Sequence, residues 1–290
     1  MTQDHDTTSH PEVDVTRNLD VLNPMRRDYT TLAGPWLSGS TDVGQRHQHN
    51  QDSLAVWADP AQQRGVLVVS DGVSSAPNSE RASATAARTV SELFASRLLN
   101  STFQHDQAQA TFAQAFEAAN RAVLADGEDG SLVGSCTLIC AVVDLNQVAV
   151  ANIGDTRAYW LPDRGKPTQL SVDDSVAQAQ MELGMSRDEA EAGIHAHAIT
   201  KWLGPEAVDL TPRVTQLSIT EPGWLLVCSD GLWNYASEAS AMAAVLGQYW
   251  HAMPASDGPD VLTRALVGWA NAQGGRDNIS VCLARLAPIT

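Results

Sequence analysis

Three aspartates, each beside a turn-forming residue, are the side chains of this chain best suited to chemistry. Asp71 lies in VLVVSDGVSS, Asp230 in WLLVCSDGLWNY and Asp277 in GGRDNISV. The first two follow short apolar runs of strand character, and the third precedes another, Ile279-Ser280-Val281-Cys282-Leu283. A carboxylate at the end of a buried strand, next to a Gly or Asn that lets the backbone turn, is held rigidly near the surface. Several hard oxygen ligands on separate strand ends, gathered by folding, suit Mg²⁺ or Mn²⁺.

The elements that must position them alternate in type. Strand patterns cover 54–57 and 65–69, and apolar residues at helical spacing follow over 79–99 and 108–124. Strands return over 136–143, 147–153 and 158–161, with Asp144-Leu145-Asn146 as the hairpin turn between the first two. Residues 171–193 are charged and helical in propensity and interrupt the strand series. Strands resume over 214–219 and 224–228, a last helix covers 261–271, and a last strand follows Asp277. This order predicts an α+β domain of antiparallel sheets with helices outside. Residues 1–30 are rich in Asp, Thr, Ser, His and Gln, lack apolar periodicity and read as a disordered acidic arm. The domain is expected over 31–290, with a helical flap over about 171–199.

Composition narrows the function classes. The chain has 290 residues, 43% of them apolar, and a formal net charge of −16. Such a charge argues against a nucleic-acid backbone or an anionic membrane as partner. No stretch reaches the roughly 18 apolar residues of a bilayer span, and the polar N-terminus has no secretory apolar core. Cys136, Cys140, Cys228 and Cys282 form no CxxC pair and lie in apolar runs, which reads as small buried hydrophobes. Reduced thiols point to the cytoplasm. A calcium-binding domain without catalysis would need an EF-hand loop, which the chain lacks.

The order of short motifs says more than any one of them. Thr41-Asp42-Val43-Gly44 precedes Asn50-Gln51-Asp52, Ser70-Asp71-Gly72 and Gly134-Ser135-Cys136-Thr137. Then come Asn152-Ile153-Gly154-Asp155-Thr156-Arg157, Ile199-Thr200-Lys201-Trp202-Leu203-Gly204, Ser229-Asp230-Gly231-Leu232 and Asp277-Asn278. This series resembles the metal-dependent protein phosphatases of type 2C, bacterial branch, over residues 35–287. The resemblance implies a four-layer α-β-β-α sandwich with metals in a cleft at one end of the sheets. It implies that Asp71 bridges two metals, that the carbonyl of Gly72 binds one, and that Asp230 and Asp277 complete the first site. Asp155 matches the residue that, with Asp230, holds a third metal. Asp52 matches an Asp that orients the attacking water, so Asp52, Asp71 and Asp230 are the expected catalytic set. Two ions about 3.5–4 Å apart would activate a bridging hydroxide against phosphoserine or phosphothreonine in proteins, with no phosphoenzyme. The implied partners are phosphorylated proteins and a Ser/Thr kinase system, for a chain acting as a monomer.

Three positions depart from the family pattern. The Arg that binds substrate phosphate is replaced by His47, with Arg46 one residue before it, so Arg46 and His47 are the expected phosphate contacts. The family's Asn-Glu-Asp reads Asn50-Gln51-Asp52, which puts a neutral amide where the second metal takes a carboxylate. Asp71-Gly72 leads into Val73-Ser74-Ser75, so the leaving-group His of some members is missing. On an extended strand, 47, 49 and 51 would share one face, and the lost cation and lost anion would offset. A second reading follows from these changes: a catalytically weak regulator that binds phosphoproteins without efficient turnover. Trp202, Trp224 and Trp233 are expected in the core, and Thr137 and Gly204 as backbone-geometry residues.

Overall fold

The computed structural model describes residues 28–127, 130–254 and 256–289. Two antiparallel sheets are stacked between two layers of helices. The first sheet contains β1 (Asp28–Gly34), β2 (Leu37–Asp42), β7 (Arg157–Pro162), β8 (Thr168–Gln169), β10 (Gly223–Cys228) and β11 (Ile279–Leu286), in the spatial order β1-β2-β11-β10-β7-β8. The second contains β3 (Ser53–Ala58), β4 (Arg64–Ser70), β5 (Leu138–Asp144), β6 (Gln147–Ile153) and β9 (Arg213–Ser218), in chain order.

Strand alternation builds the layers. On β4, Val66 and Val68 face the helices α1 (Ser79–Asn100) and α2 (Ala108–Ala125), while Leu67 and Val69 face the other sheet. On β10, Leu225 and Val227 enter the inter-sheet core, while Trp224, Leu226 and Cys228 pack under α6 (Ala239–Trp250) and α7 (Pro259–Ala272). Central strands buried on both faces therefore read as unbroken apolar runs. Each fully buried Val or Leu contributes about 1.5–3 kcal/mol. Small residues on α1, among them Ala82, Ser83, Ala86 and Ala87, let that helix lie close to the sheet. All four cysteines are free and buried.

Several expectations need correction. Asp28, Tyr29 and Thr30, assigned to the arm, pair with β2 as part of β1; the rest of that arm, 1–27, lies outside the described residues. The helix α6 was not anticipated, because its run AMAAVLGQYW is apolar without a clean polar face. Residues 43–52 form turns and bends rather than a strand, so 47, 49 and 51 share no sheet face. Trp224 and Trp233 are buried in the helix-facing core, whereas Trp202 is half-buried and borders open grooves. The hairpin at Leu145-Asn146 is present, with Asp144 paired to Gln147 and Leu145 at φ +58°.

Candidate metal centre

Register brings the acids together. Cys228 at the end of β10 pairs with Arg157 on one side and Val281 on the other. Asp230 lies just beyond that strand end, Asp155 just before β7 and Asp277 just before β11. All three must therefore emerge at the same edge of the first sheet. From the second sheet, β4 ends at Ser70 and delivers Asp71. A small cleft of about 140 Å³ collects Asp71, Gly72, Asp155, Asp230 and Asp277, with Thr137, Val73, Ser74, His197 and Ile199 as its other walls.

Each acid is set by local hydrogen bonds. Thr137 clamps Asp71: its Oγ1 accepts from the Asp71 amide at 3.0 Å, and its own amide donates to the Asp71 carbonyl at 2.8 Å. Gly72 is required by close approach, since a Cβ would lie 2.7 Å from the Gln51 carbonyl oxygen. Gly154, at φ +95°, turns the chain into Asp155 and would drive a Cβ against Thr137. Asp52 is buried, and Ser229 Oγ donates to its Oδ2 at 2.7 Å. Asn278 braces the preceding loop: it donates to the carbonyls of Val43 and His49 and accepts from the Gln51 amide. That bracing role was not read from the sequence, nor was the approach of His197 to the cleft; an Asn next to Asp277 carried the only available signal.

The group is electrostatically unbalanced. Burial, then the charges of Asp52, Asp230, Asp155 and Asp277, push the Asp71 carboxyl well above its usual range. Burial and the neighbouring Asp155, Asp277 and Asp52 do the same to Asp230. Burial raises both Asp52 and Asp155 to about 7. Among the described residues, no Lys or Arg forms a salt bridge to any of these four; His47 Nε2 lies 3.3 Å from Asp277 Oδ1. Oδ1 of Asp230 and Oδ1 of Asp52 are buried without a hydrogen-bond partner.

No three of the described His, Cys, Asp or Glu side chains already meet at one ion position. The fit to a cation rests instead on the donor chemistry: hard oxygens, one of them the orphaned Oδ1 of Asp230, in a cleft with excess negative charge. That combination suits Mg²⁺ or Mn²⁺.

The remaining expected residues do not line the cleft, although His47 reaches Asp277 at its wall. Arg46 is exposed. The Gln51 side-chain amide donates to Ser79 Oγ at the start of α1, and its carbonyl accepts from Ser83 Oγ and the Gly72 amide. Its backbone thus touches the Asp71-Gly72 turn while its side chain lies along the helix.

Residues 42–269 match the family model described as Protein phosphatase 2C. The chain belongs to the protein phosphatase 2C family. It is 28% identical over 250 residues to "Protein phosphatase PhpP" of Streptococcus pneumoniae, covering 85% of this chain and 95% of that one. Its fold is similar to the serine/threonine phosphatase Stp1 from Staphylococcus aureus, with a TM-score of 0.73 at 22% identity over 86% of this chain and 94% of that one. It is also similar to the catalytic domain of serine threonine protein phosphatase PstP, solved in complex with 2 manganese ions, with a TM-score of 0.66 at 25% identity over 87% of this chain and 97% of that one.

In this phosphatase 2C domain, 171–199 carries two short helices, α3 (Val176–Glu182) and α4 (Arg187–Glu191). Ser175 caps the first, and Ser186 with Glu189 forms a capping box on the second. The segment is pinned by Arg157, which is buried, lies 3.5 Å over the Trp233 ring and pairs with Asp173 at 2.7 Å and Glu191 at 3.2 Å. Arg157 makes no salt bridge to the nearby Asp155; it turns inward to Asp173 and Glu191.

Proposed function

We propose that this chain is a Mg²⁺- or Mn²⁺-dependent protein phosphatase that hydrolyses phosphoserine and phosphothreonine in proteins. The observation that carries this reading is the meeting of Asp71, Asp155, Asp230 and Asp277 in one cleft at the sheet ends. When bound, the divalent ions lower the pKa of the attacking water and neutralise charge on the phosphate. Asp71, the Gly72 carbonyl, Asp230 and Asp277 would hold two ions, and Asp155 with Asp230 a third. Gln51 is the neutral substitute for the second ion's carboxylate.

Asp52 is suited to hold a proton. Its carboxyl is raised to about 7, its Oδ2 is occupied by Ser229, and its Oδ1 is free to accept. Arg46 and His47 would contact the phosphate from the loop beside Asp277. The helical segment 171–199 acts as a flap beside the cleft. The reading extends to a cognate Ser/Thr kinase system in the cytoplasm, with the chain acting as a monomer; no described helix is long and apolar enough to cross a membrane. No observation favours a binding regulator without turnover, since the acids of the cleft are complete apart from Gln51.

The test is hydrolysis of p-nitrophenyl phosphate and of a phosphothreonine peptide with Mn²⁺, Mg²⁺ or a chelator. Turnover of both that the chelator abolishes supports the reading. Metal-independent turnover, or none with either metal, removes it.

A further inference from the structure

A larger groove of about 550 Å³ continues from the acidic cleft. Val73, His197 and Ile199 line both, so the two form one continuous depression. Beyond those shared residues the groove turns apolar, with Val133, Ala198, Trp202 and Pro205 among its walls. Its Trp202 wall is preformed. Trp202 Nε1 donates to the Pro205 carbonyl at 3.0 Å, which sets the ring. The next residue, Leu203, exchanges backbone hydrogen bonds with Cys136 at 2.8 and 3.0 Å. Gly204 follows at φ +122°, where a Cβ would lie 2.5 Å from the Gly134 carbonyl oxygen.

We infer that this groove is a substrate subsite, which takes an apolar side chain one to three residues from the phosphorylated Ser or Thr. The inference rests on the phosphatase reading above and names the substrate class for it. The phosphate must sit at the cations held by Asp71, Asp230 and Asp277. An extended peptide advances about 3.3–3.6 Å per residue, so its neighbouring side chains pass Val73 and Ile199 into the groove. An acidic neighbour is disfavoured, because Glu206 lies on the rim and the chain carries a net charge of −16. A fixed Trp face beside small aliphatic walls is a surface for Leu, Ile, Val or Met.

The experiment measures kcat/KM with Mn²⁺ on phosphothreonine peptides that carry Leu or Gly at each of the three positions on either side, with p-nitrophenyl phosphate alongside. The inference expects Leu to exceed Gly by about tenfold at one position or more, mainly through KM. Ala198→Trp, which fills the groove from an exposed position, and Trp202→Ala, which removes its wall, should each bring that ratio toward one. A wild-type ratio near one at every position overturns the subsite alone. So does a ratio that survives both variants. No hydrolysis of p-nitrophenyl phosphate or any peptide overturns the phosphatase reading, and the subsite with it.

Discussion

Two clusters of acids lie close together in this molecule and are balanced in opposite ways. Around Arg157, the carboxylates of Asp173 and Glu191 share a guanidinium that also donates to Ser237 Oγ at 2.8 Å and lies over Trp233. At the cleft, Asp71, Asp155 and Asp230, with Asp52 behind them, form no salt bridge to a Lys or Arg among the described residues, and Oδ1 of Asp230 and Oδ1 of Asp52 are orphaned. The two clusters nearly touch: Trp233, which supports Arg157, also donates its Nε1 to the Asp155 carbonyl at 2.9 Å. A self-neutralised cluster is a brace. A cluster left negative by the fold is suited to a cation from solution, because desolvating unpaired charge costs several kcal/mol per ion.

The contrast is easiest to break at its extremes. Asp71→Asn or Asp230→Asn should lower metal-dependent kcat by roughly a thousandfold or more, since each removes a proposed ion ligand. Neither should destabilise the metal-free protein, because each relieves repulsion. Steady-state kinetics and urea unfolding in chelator check both halves; wild-type-like turnover in either variant counts against the mechanism.

The reverse holds for the brace. Arg157→Met strands Asp173 and Glu191 and should cost about 3–5 kcal/mol of stability. If urea unfolding showed the metal-free Asp71→Asn protein to be equally damaged, the two clusters would not differ in kind.

Proton linkage sharpens the same point. The carboxyls of Asp52 and Asp155 are raised from 3.8 to about 7 in the folded protein. Between these values the metal-free native state binds more protons than the unfolded chain. Its stability should therefore fall as pH rises through that window. Urea midpoints at several pH values in chelator measure this; a midpoint that rises with pH there would contradict it. Mn²⁺ at a hundred times its Kd should return about 2.7 kcal/mol at pH 7.5.

Asp155→Ala should be milder than loss of Asp71, with turnover down about tenfold and the two-ion core still loaded in a metal titration. Unchanged activity and titration would make Asp155 purely structural. The smallest effect is expected at Gln51→Glu, which should lower the Mn²⁺ concentration for half-maximal rate by roughly three- to tenfold. No change would mean that position 51 is not a ligand, in keeping with its amide lying on Ser79.

Strand and helix positions were legible where burial on both faces imposed unbroken apolar runs, as over β4, β5 and β10, or helical spacing, as over α1 and α7. The acids were legible as Asp-Gly and Asp-Asn turns at strand ends. The loop from Val43 to Asp52 was not, because its shape comes from Asn278, more than 200 residues away in sequence and bonded to Val43 and His49. Positions 47, 49 and 51 would share a face only on a paired strand, and the fold supplies no ladder partner there. Trp202 was read as core because a large aromatic usually is, and only the packed chain shows a groove beside it.

By itself, then, the amino-acid sequence determined which strands are buried, where they stop, and that a carboxylate waits at several of those stops. These are local consequences of apolar patterning and turn chemistry. Tertiary structure alone decided which acids share a cleft and which share an arginine. Asp155 and Arg157 are two residues apart, yet one lines the acidic cleft and the other forms the brace. They point oppositely because β7 begins between them, and its pairing with Cys228 sends Arg157 into the packed side of the sheet. No property of either residue carries that information; it arises when two sheets and two helix layers fix which side of a strand end is solvent.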